Sequence, residues 1–81
     1  MMLPVLSMFT LDLRGLRCPL PLLRLKQTLH QQPTLAALEV LTTDAGALRD
    51  IPAFLRQAGL HLAESCTDAD GVTTFRIQRQ A

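Results

Sequence analysis

The stretch that decides the fold is "LDLRGLRCPLPLLRLKQTL", residues 11–29, because the period of its apolar residues changes partway along. Apolar and polar residues alternate over residues 9–13, which is the two-residue period of a strand. From Pro19 onward Leu22, Leu25 and Leu29 recur at helical spacing. The stretch therefore predicts a strand, a turn at Gly15 and an amphipathic helix from Pro19 to about Gln31.

Working outward, the rest of the chain supplies a strand, a helix and a final hairpin. "LAALEVLTTD", residues 35–44, predicts a strand with Leu38, Val40 and Thr42 on one face. "DAGALRDIPAFLRQAG", residues 44–59, predicts a helix with Asp50 as N-cap, Pro52 in its first turn and Gly59 just after its end. "LHLAESCT" and "VTTFRIQRQ" predict two strands joined by the turn residues "DADG".

The predicted order is β-α-β-α-β-β. We expect an α+β (α/β) two-layer sandwich, in which two helices cover one face of a four-stranded mixed sheet. The 81 residues suffice for one domain. We assign residues 9–81 to it and expect residues 1–8 to be a loosely ordered extension.

Charge and apolar content exclude several classes of partner. Eight basic and seven acidic residues give a net charge of +1, too little to attract a nucleic-acid backbone or an anionic membrane strongly. The N-terminal apolar run has no basic residue ahead of it, and no run is long enough to span a bilayer. We expect a cytoplasmic protein, a monomer with no direct nucleic-acid or membrane partner, whose two cysteines are free thiols.

Cys18 stands where the helix is predicted to begin. We expect it at the N-cap, with Pro19 at N1 and Pro21 at N3, positions in the first turn where proline is tolerated. The Leu20 amide would then be free to donate to the sulfur.

Positive charge at the same place predicts an activated thiol. The N-terminal end of the helix dipole, with Arg14 and Arg17 nearby, should favour the thiolate over the thiol. A lowered thiol pKa makes a cysteine nucleophilic near neutral pH. A cysteine before a helix is more often a packed small residue, but the two prolines favour a functional thiol here.

The sequence near Cys18 lacks the residues that a dithiol redox site, a zinc site or a cysteine–histidine pair would need. Position 21 is proline, so there is no C-x-x-C motif, and no second cysteine or histidine nearby provides a zinc site. His30 lies about 18 Å away along the helix, too far to act as a base. We expect Cys66 to be structural. Helical spacing leaves Leu20 and Leu23 exposed, either as a docking surface for another protein or as ordinary surface leucines.

Two blocks of this sequence resemble the TusA/SirA family of small sulfur carriers. Its signature C-P-x-P is matched by Cys18, Pro19, Leu20 and Pro21. The block "TTDAGALRDIPAFLRQAGLHL", residues 42–62, is similar to the family's acidic strand end and R-D-I-P stretch. The resemblance covers Leu11 to Arg79 and implies the same β-α-β-α-β-β sandwich.

The resemblance implies that Cys18 holds sulfur as a persulfide, supported by the motif residues 19–21 and by Arg17. The sulfur would come from a cysteine desulfurase or a rhodanese and pass to a cysteine of an acceptor protein. In family branches it serves tRNA 2-thiouridine formation, molybdenum-cofactor assembly or sulfur oxidation. The resemblance implies a sulfurtransferase-type carrier rather than a stand-alone enzyme, with no metal or organic cofactor.

The sequence leaves two questions open. Leu20 replaces a residue that is often acidic in the tRNA-thiolation branch, which leaves partner identity open. Asp44 and Asp50 are either helix caps or, with Arg49 and Leu23, part of a partner-binding surface. Two other functions fit the same residues: an interaction module that uses Leu20 and Leu23, and a thiol-redox sensor that uses Cys18.

Overall fold

A computed structural model describes residues 9–79 of the chain. The extension predicted for residues 1–8 lies outside the described residues. In chain order, the elements are β1 Phe9–Leu13, α1 Leu20–Gln31, β2 Ala37–Thr42, α2 Ala47–Ala58, β3 His61–Thr67 and β4 Thr73–Gln78. The predicted order of two helices and four strands is confirmed.

The sheet is mixed, with strand order β1-β2-β4-β3. β1 and β2 are parallel, so α1 forms the crossover between them, and the other two pairs are antiparallel. Strand alternation sends Leu38, Val40 and Thr42 of β2 inward, as predicted. Both helices pack on this inner face, and the sheet's other face is open to solvent.

The core lies between the inner face and the helices. Its fully buried apolar residues are Leu13, Leu25, Leu38, Val40, Ala47, Ile51, Leu55, Phe75 and Ile77. Complete burial of one such large side chain stabilises the fold by roughly 1.5–3 kcal/mol. On α1, Leu25 is buried while Leu22 and Leu29 pack partly against the cluster, which confirms the face predicted from helical spacing.

Helix α2 begins earlier than predicted. Its first residue is Ala47 with Gly46 at the N-cap, so the prediction of Asp50 as N-cap is wrong, and Pro52 lies inside the helix rather than in its first turn. The reason is Asp44, whose Oδ2 accepts a hydrogen bond from the Ala47 amide at 3.0 Å and so caps the helix one turn upstream. The helix ends at Gly59, as predicted, in a left-handed conformation with φ of 75°.

Parallel pairing of β1 and β2 brings their C-terminal ends to the same edge of the sheet. The loop that leads to α1, residues 14–19, therefore lies beside the loop that leads to α2, residues 43–46. A hydrogen bond from the Gly15 amide to Thr43 Oγ1, 3.0 Å long, joins the two loops directly. This edge carries the C-P-x-P motif and the acidic residues that follow β2.

Candidate functional site

Cys18 lies in the β1–α1 loop with its side chain exposed and its thiol free. The prediction that it is the N-cap of α1 is wrong. Pro19 occupies the N-cap, joined to Cys18 by a cis peptide bond, and the helix starts at Leu20. The Leu20 amide donates to the Arg17 carbonyl oxygen at 2.8 Å, so it is not free for the sulfur. Pro21 is buried under the first turn.

The neighbours of the sulfur come from α2 rather than α1. The Cys18 thiol donates a hydrogen bond to Asp50 Oδ2, with the sulfur and oxygen 3.5 Å apart. Gly46, at the start of α2, is also close: a methyl group added there would lie 3.4 Å from Cys18 Cβ, 3.7 Å from its Sγ and 3.0 Å from Asp44 Oδ2. The absence of a side chain at Gly46 makes room for both Cys18 and the capping carboxylate.

The pKa of the Cys18 thiol is raised above its ordinary value. The largest cause is partial loss of hydration, followed by the hydrogen bond and the negative charge of Asp50 and by the charge of Asp44; Arg49 acts in the opposite direction. The predicted lowering of this pKa is therefore wrong. A helix N-terminus carries about half an elementary charge, and a full carboxylate charge in contact with the sulfur outweighs it.

The two arginines expected to activate the thiol do not contribute to this shift. Arg14 forms an ion pair with Asp12, with Nη2 and Oδ2 2.7 Å apart. That pair lowers the Asp12 pKa to about 2 through hydrogen bonds from Arg14. Arg17 instead helps to line a neighbouring cavity of about 320 Å³, together with Gly15, Leu16, Thr43, Asp44 and Ala45.

The residues predicted for partner binding divide into two groups. Asp44, Arg49 and Asp50 lie near the thiol, with Arg49 Nε 3.8 Å from Asp50 Oδ1. Leu20 and Leu23 are 44% and 50% exposed on α1, which confirms the exposure predicted from helical spacing. Leu48, in the first turn of α2, is also 44% exposed and was not singled out from the sequence. Helical spacing does not predict this exposure, because Leu48 lies three residues before the buried Ile51, a spacing that places two residues near the same helix face.

Cys66 is exposed, and the expectation that its role is structural stays a prediction. Its neighbour Thr67 pairs with the buried Thr73 on the inner face, and alternation therefore places Cys66 on the open outer face. The chain's two cysteines consequently lie on opposite sides of the sheet.

Fold and site together define a small two-layer α+β protein that presents one cysteine between the starts of two helices. The family model described as "Sulfurtransferase TusA" matches residues 9–79. The chain therefore belongs to the TusA family of sulfur carriers, as its C-P-x-P motif predicted.

Individual relatives agree with this assignment. A putative sulfur carrier protein of Neisseria meningitidis is 46% identical over 71 residues, which is 88% of this chain and 95% of that protein. The sulfur carrier protein TusA of Allochromatium vinosum is 47% identical over 55 residues, 68% of this chain and 72% of the relative. The crystal structure of a SirA-like protein from Desulfitobacterium hafniense superposes with a TM-score of 0.76 at 24% identity, over 88% of this chain and 96% of that one. That last likeness supports the fold.

Within residues 9–79, neither helix has the length and hydropathy needed to cross a membrane.

Proposed function

We propose that this chain carries sulfur as a persulfide on Cys18. The sulfur comes from a donor protein, a cysteine desulfurase or a rhodanese, and passes to a cysteine of an acceptor protein. One observation carries the proposal: the cysteine of the family motif is an exposed, free thiol at the rim where the two helix-leading loops meet. A partner's sulfur can reach it there without any opening of the core.

The transfer step balances without an external oxidant. Cys18 attacks the outer sulfur of the donor's persulfide, a new S–S bond forms on Cys18, and the donor's S–S bond breaks. The donor cysteine is reduced to a thiol and takes the proton that Cys18 gives up, while Cys18 is oxidised to the persulfide. Delivery to the acceptor repeats the same exchange in the forward direction.

The position of the second cysteine supports a carrier rather than a dithiol enzyme. The chain has two cysteines, and Cys66 lies on the outer sheet face, across the sheet from the Cys18 site. A persulfide on Cys18 therefore has no neighbouring thiol in the chain that would displace its sulfur. The sulfur stays bound until an acceptor thiol arrives.

Exposed leucines near the motif support docking to proteins. Leu20 and Leu23 lie within the first four residues of α1, and Leu48 lies in the first turn of α2, the turn that follows Gly46. Each is about half exposed. Burying such side chains against a partner removes apolar surface from water at roughly 25 cal/mol per Å².

Intact-protein mass spectrometry tests the proposal. The reduced chain is incubated with a cysteine desulfurase and cysteine, in parallel with Cys18→Ser and Cys66→Ser. We expect the wild type and Cys66→Ser to gain the mass of one sulfur atom, removable by reductant, and Cys18→Ser to gain none. If the desulfurase fails, thiosulfate with a rhodanese is the second donor. Failure with both, while Cys18 still reacts with iodoacetamide, would favour the interaction-module hypothesis.

For the destination of the sulfur, we propose tRNA 2-thiouridine formation as the first branch to assay. The measurement is 2-thiouridine content in a bacterial strain that lacks its own carrier and expresses this chain. Restoration by the wild type and not by Cys18→Ser would support that branch. No restoration by a chain that loads sulfur in vitro would point to another pathway.

A further inference from the structure

Asp50 is the charged residue in direct contact with the reacting sulfur. Its Oδ2 accepts the Cys18 thiol hydrogen bond at 3.5 Å, and its Oδ1 lies 3.8 Å from Arg49 Nε. The Asp50 side chain is 34% exposed and that of Arg49 is 84% exposed, so the ion pair is long and solvated. The Asp50 carboxylate faces the thiol and still remains accessible from outside.

Asp50 is not the residue that caps α2. Asp44 caps α2 through the Ala47 amide, whereas Asp50 lies in the first turn without a capping hydrogen bond. Within residues 9–79, the carboxylate of Asp50 accepts a hydrogen bond from Cys18 and forms an ion pair with Arg49. The hydrogen bond of this carboxylate is therefore made to the thiol, while its charge also lies in the first turn of α2, where a helix favours negative charge.

We propose, on the basis of the sulfur-carrier function proposed above, that Asp50 is a catalytic residue that holds the proton on Cys18 and makes the thiol selective for sulfur donors bearing a positive charge. A negative charge that forms on the sulfur lies against the Asp50 carboxylate, with Asp44 adding to the repulsion and Arg49 offsetting part of it. The free carrier therefore holds its thiol protonated and reacts slowly with neutral reagents.

A cationic donor weakens the repulsion between the Asp50 carboxylate and a thiolate on Cys18. A lysine or arginine beside the donor's persulfide pairs with the exposed Asp50 carboxylate and cancels the charge that opposes the thiolate. Cys18 then loses its proton, attacks the outer persulfide sulfur, and the released donor thiolate takes up a proton. Atoms and electrons balance as in the transfer step above, because Asp50 changes partners and is not consumed.

Small disulfides of different charge test this without any partner protein. The probes are cystamine, whose two ends are cationic, and 2-hydroxyethyl disulfide, which is neutral. Rates of mixed-disulfide formation at Cys18 are read by peptide mass spectrometry near pH 7.5, with Cys66 in the same chain as an internal reference thiol. The ratio of the two rates is compared between variants, which cancels the intrinsic reactivity of each probe.

Asp50→Asn is the decisive variant and Asp70→Asn its matched control. The Asp70→Asn change removes one negative charge, as Asp50→Asn does, but from the β3–β4 turn, where the Asp70 side chain is exposed. We expect Asp50→Asn to react about threefold or more faster with the neutral probe, because the gain in thiolate outweighs the fall in intrinsic nucleophilicity, for which the Brønsted coefficient is about 0.4–0.5. The preference for cystamine should fall by about threefold or more, while Asp70→Asn behaves as wild type.

Two further arms keep the test decisive. Asp50→Ser replaces Asp50→Asn if the latter loses its helical circular dichroism. In the wild type, ionic strength near 1 M should reduce the cystamine preference, because screening acts within about 3 Å at that salt. Equal or slower reaction of both Asp50 variants with the neutral probe, or an unchanged cystamine preference, would overturn the proposal.

The outcome is independent of the proposed sulfur transfer. Persulfide loading is measured with a protein donor, whereas the disulfide probes report only the protonation and charge selectivity of Cys18. A chain that loads sulfur but shows no effect of Asp50 refutes the role of Asp50 alone. A chain that shows the effect but never loads sulfur refutes the carrier function alone.

Discussion

The two cysteines of this chain have the same chemistry and very different surroundings. Cys18 lies between the starts of α1 and α2, with Asp50 in contact and Gly46 against its Cβ. Cys66 lies on the open face of an edge strand, opposite Thr74. Both are exposed, so accessibility does not distinguish them. The difference is that the fold brings a carboxylate from another element into contact with the Cys18 sulfur, whereas Cys66 lies within strand β3.

The largest expected effect comes from filling the space beside Cys18. Gly46→Val should lower the free energy of unfolding by about 1–3 kcal/mol, because its Cβ would lie 3.0 Å from Asp44 Oδ2 and 3.4 Å from Cys18 Cβ. Ala63→Val adds comparable volume to exposed β3 and should change stability by less than about 0.5 kcal/mol. Urea unfolding followed by circular dichroism measures both. Equal stabilities would mean that the close packing at Gly46 does not matter.

An intermediate effect is expected from replacing Asp44 or Asp68, two aspartates that stabilise the fold but differ in their effect on Cys18. Asp44 caps α2, and Asp68 Oδ1 accepts the amides of Asp70 and Val72 in the turn beside β3, at 2.9 and 3.0 Å. Replacing either aspartate by alanine should cost about 1 kcal/mol, as loss of a cap does.

Only the Asp44→Ala change should also speed alkylation of Cys18, since Asp44 helps to raise the pKa of that thiol. Parallel thermal melts and iodoacetamide labelling measure the two properties. A matching rise in Cys18 labelling for Asp68→Ala would contradict the account.

The pH profile of Cys18 gives a finer comparison. Because the pKa of this thiol is raised, its thiolate fraction at neutral pH is below that of an ordinary cysteine, and its alkylation rate should keep rising well into the alkaline range. Asp50→Asn should move the profile toward lower pH. A profile that levels off near neutral pH in the wild type would show that the thiol is activated, as the sequence alone had predicted.

The smallest effect concerns the exposed Asp12–Arg14 pair at the end of β1. Its hydrogen bonds hold the Asp12 pKa near 2, below the ordinary value, so the pair favours the folded state at neutral pH and this contribution is lost as pH falls through about 2. This contribution is small, because both partners are exposed. Asp12→Asn should leave stability at neutral pH nearly unchanged. NMR titration of the Asp12 carboxyl group measures the pKa, and a value near 4 would contradict the pairing.

Local patterns predicted the elements of this fold well. The change from a two-residue to a helical period between Leu13 and Leu22 located β1 and α1, and alternation located the inner face of β2. These features depend on residues that are close in sequence, so the sequence pattern alone is enough to predict them. The C-P-x-P motif and the R-D-I-P block also identified the family.

Contacts distant in sequence were the part that could not be predicted. Asp50 lies 32 residues from Cys18 and meets it only because parallel β1 and β2 bring two loops together. Without that contact, the helix end and two arginines suggested a lowered thiol pKa, whereas the nearest full charge is negative. The early start of α2 could have been found, since Asp44 stands three residues before Ala47, the spacing at which a carboxylate caps an amide.

The most direct measurement compares the two cysteines within one wild-type chain. The chain is treated with less than one equivalent of persulfide from a cysteine desulfurase or, in parallel, a rhodanese, then alkylated, digested and analysed by peptide mass spectrometry. The account predicts that the added sulfur is found on the peptide containing Cys18, with almost none on that containing Cys66. Equal distribution over the two peptides, or a preference for Cys66, would contradict the claim that this fold presents Cys18 as its sulfur-carrying thiol.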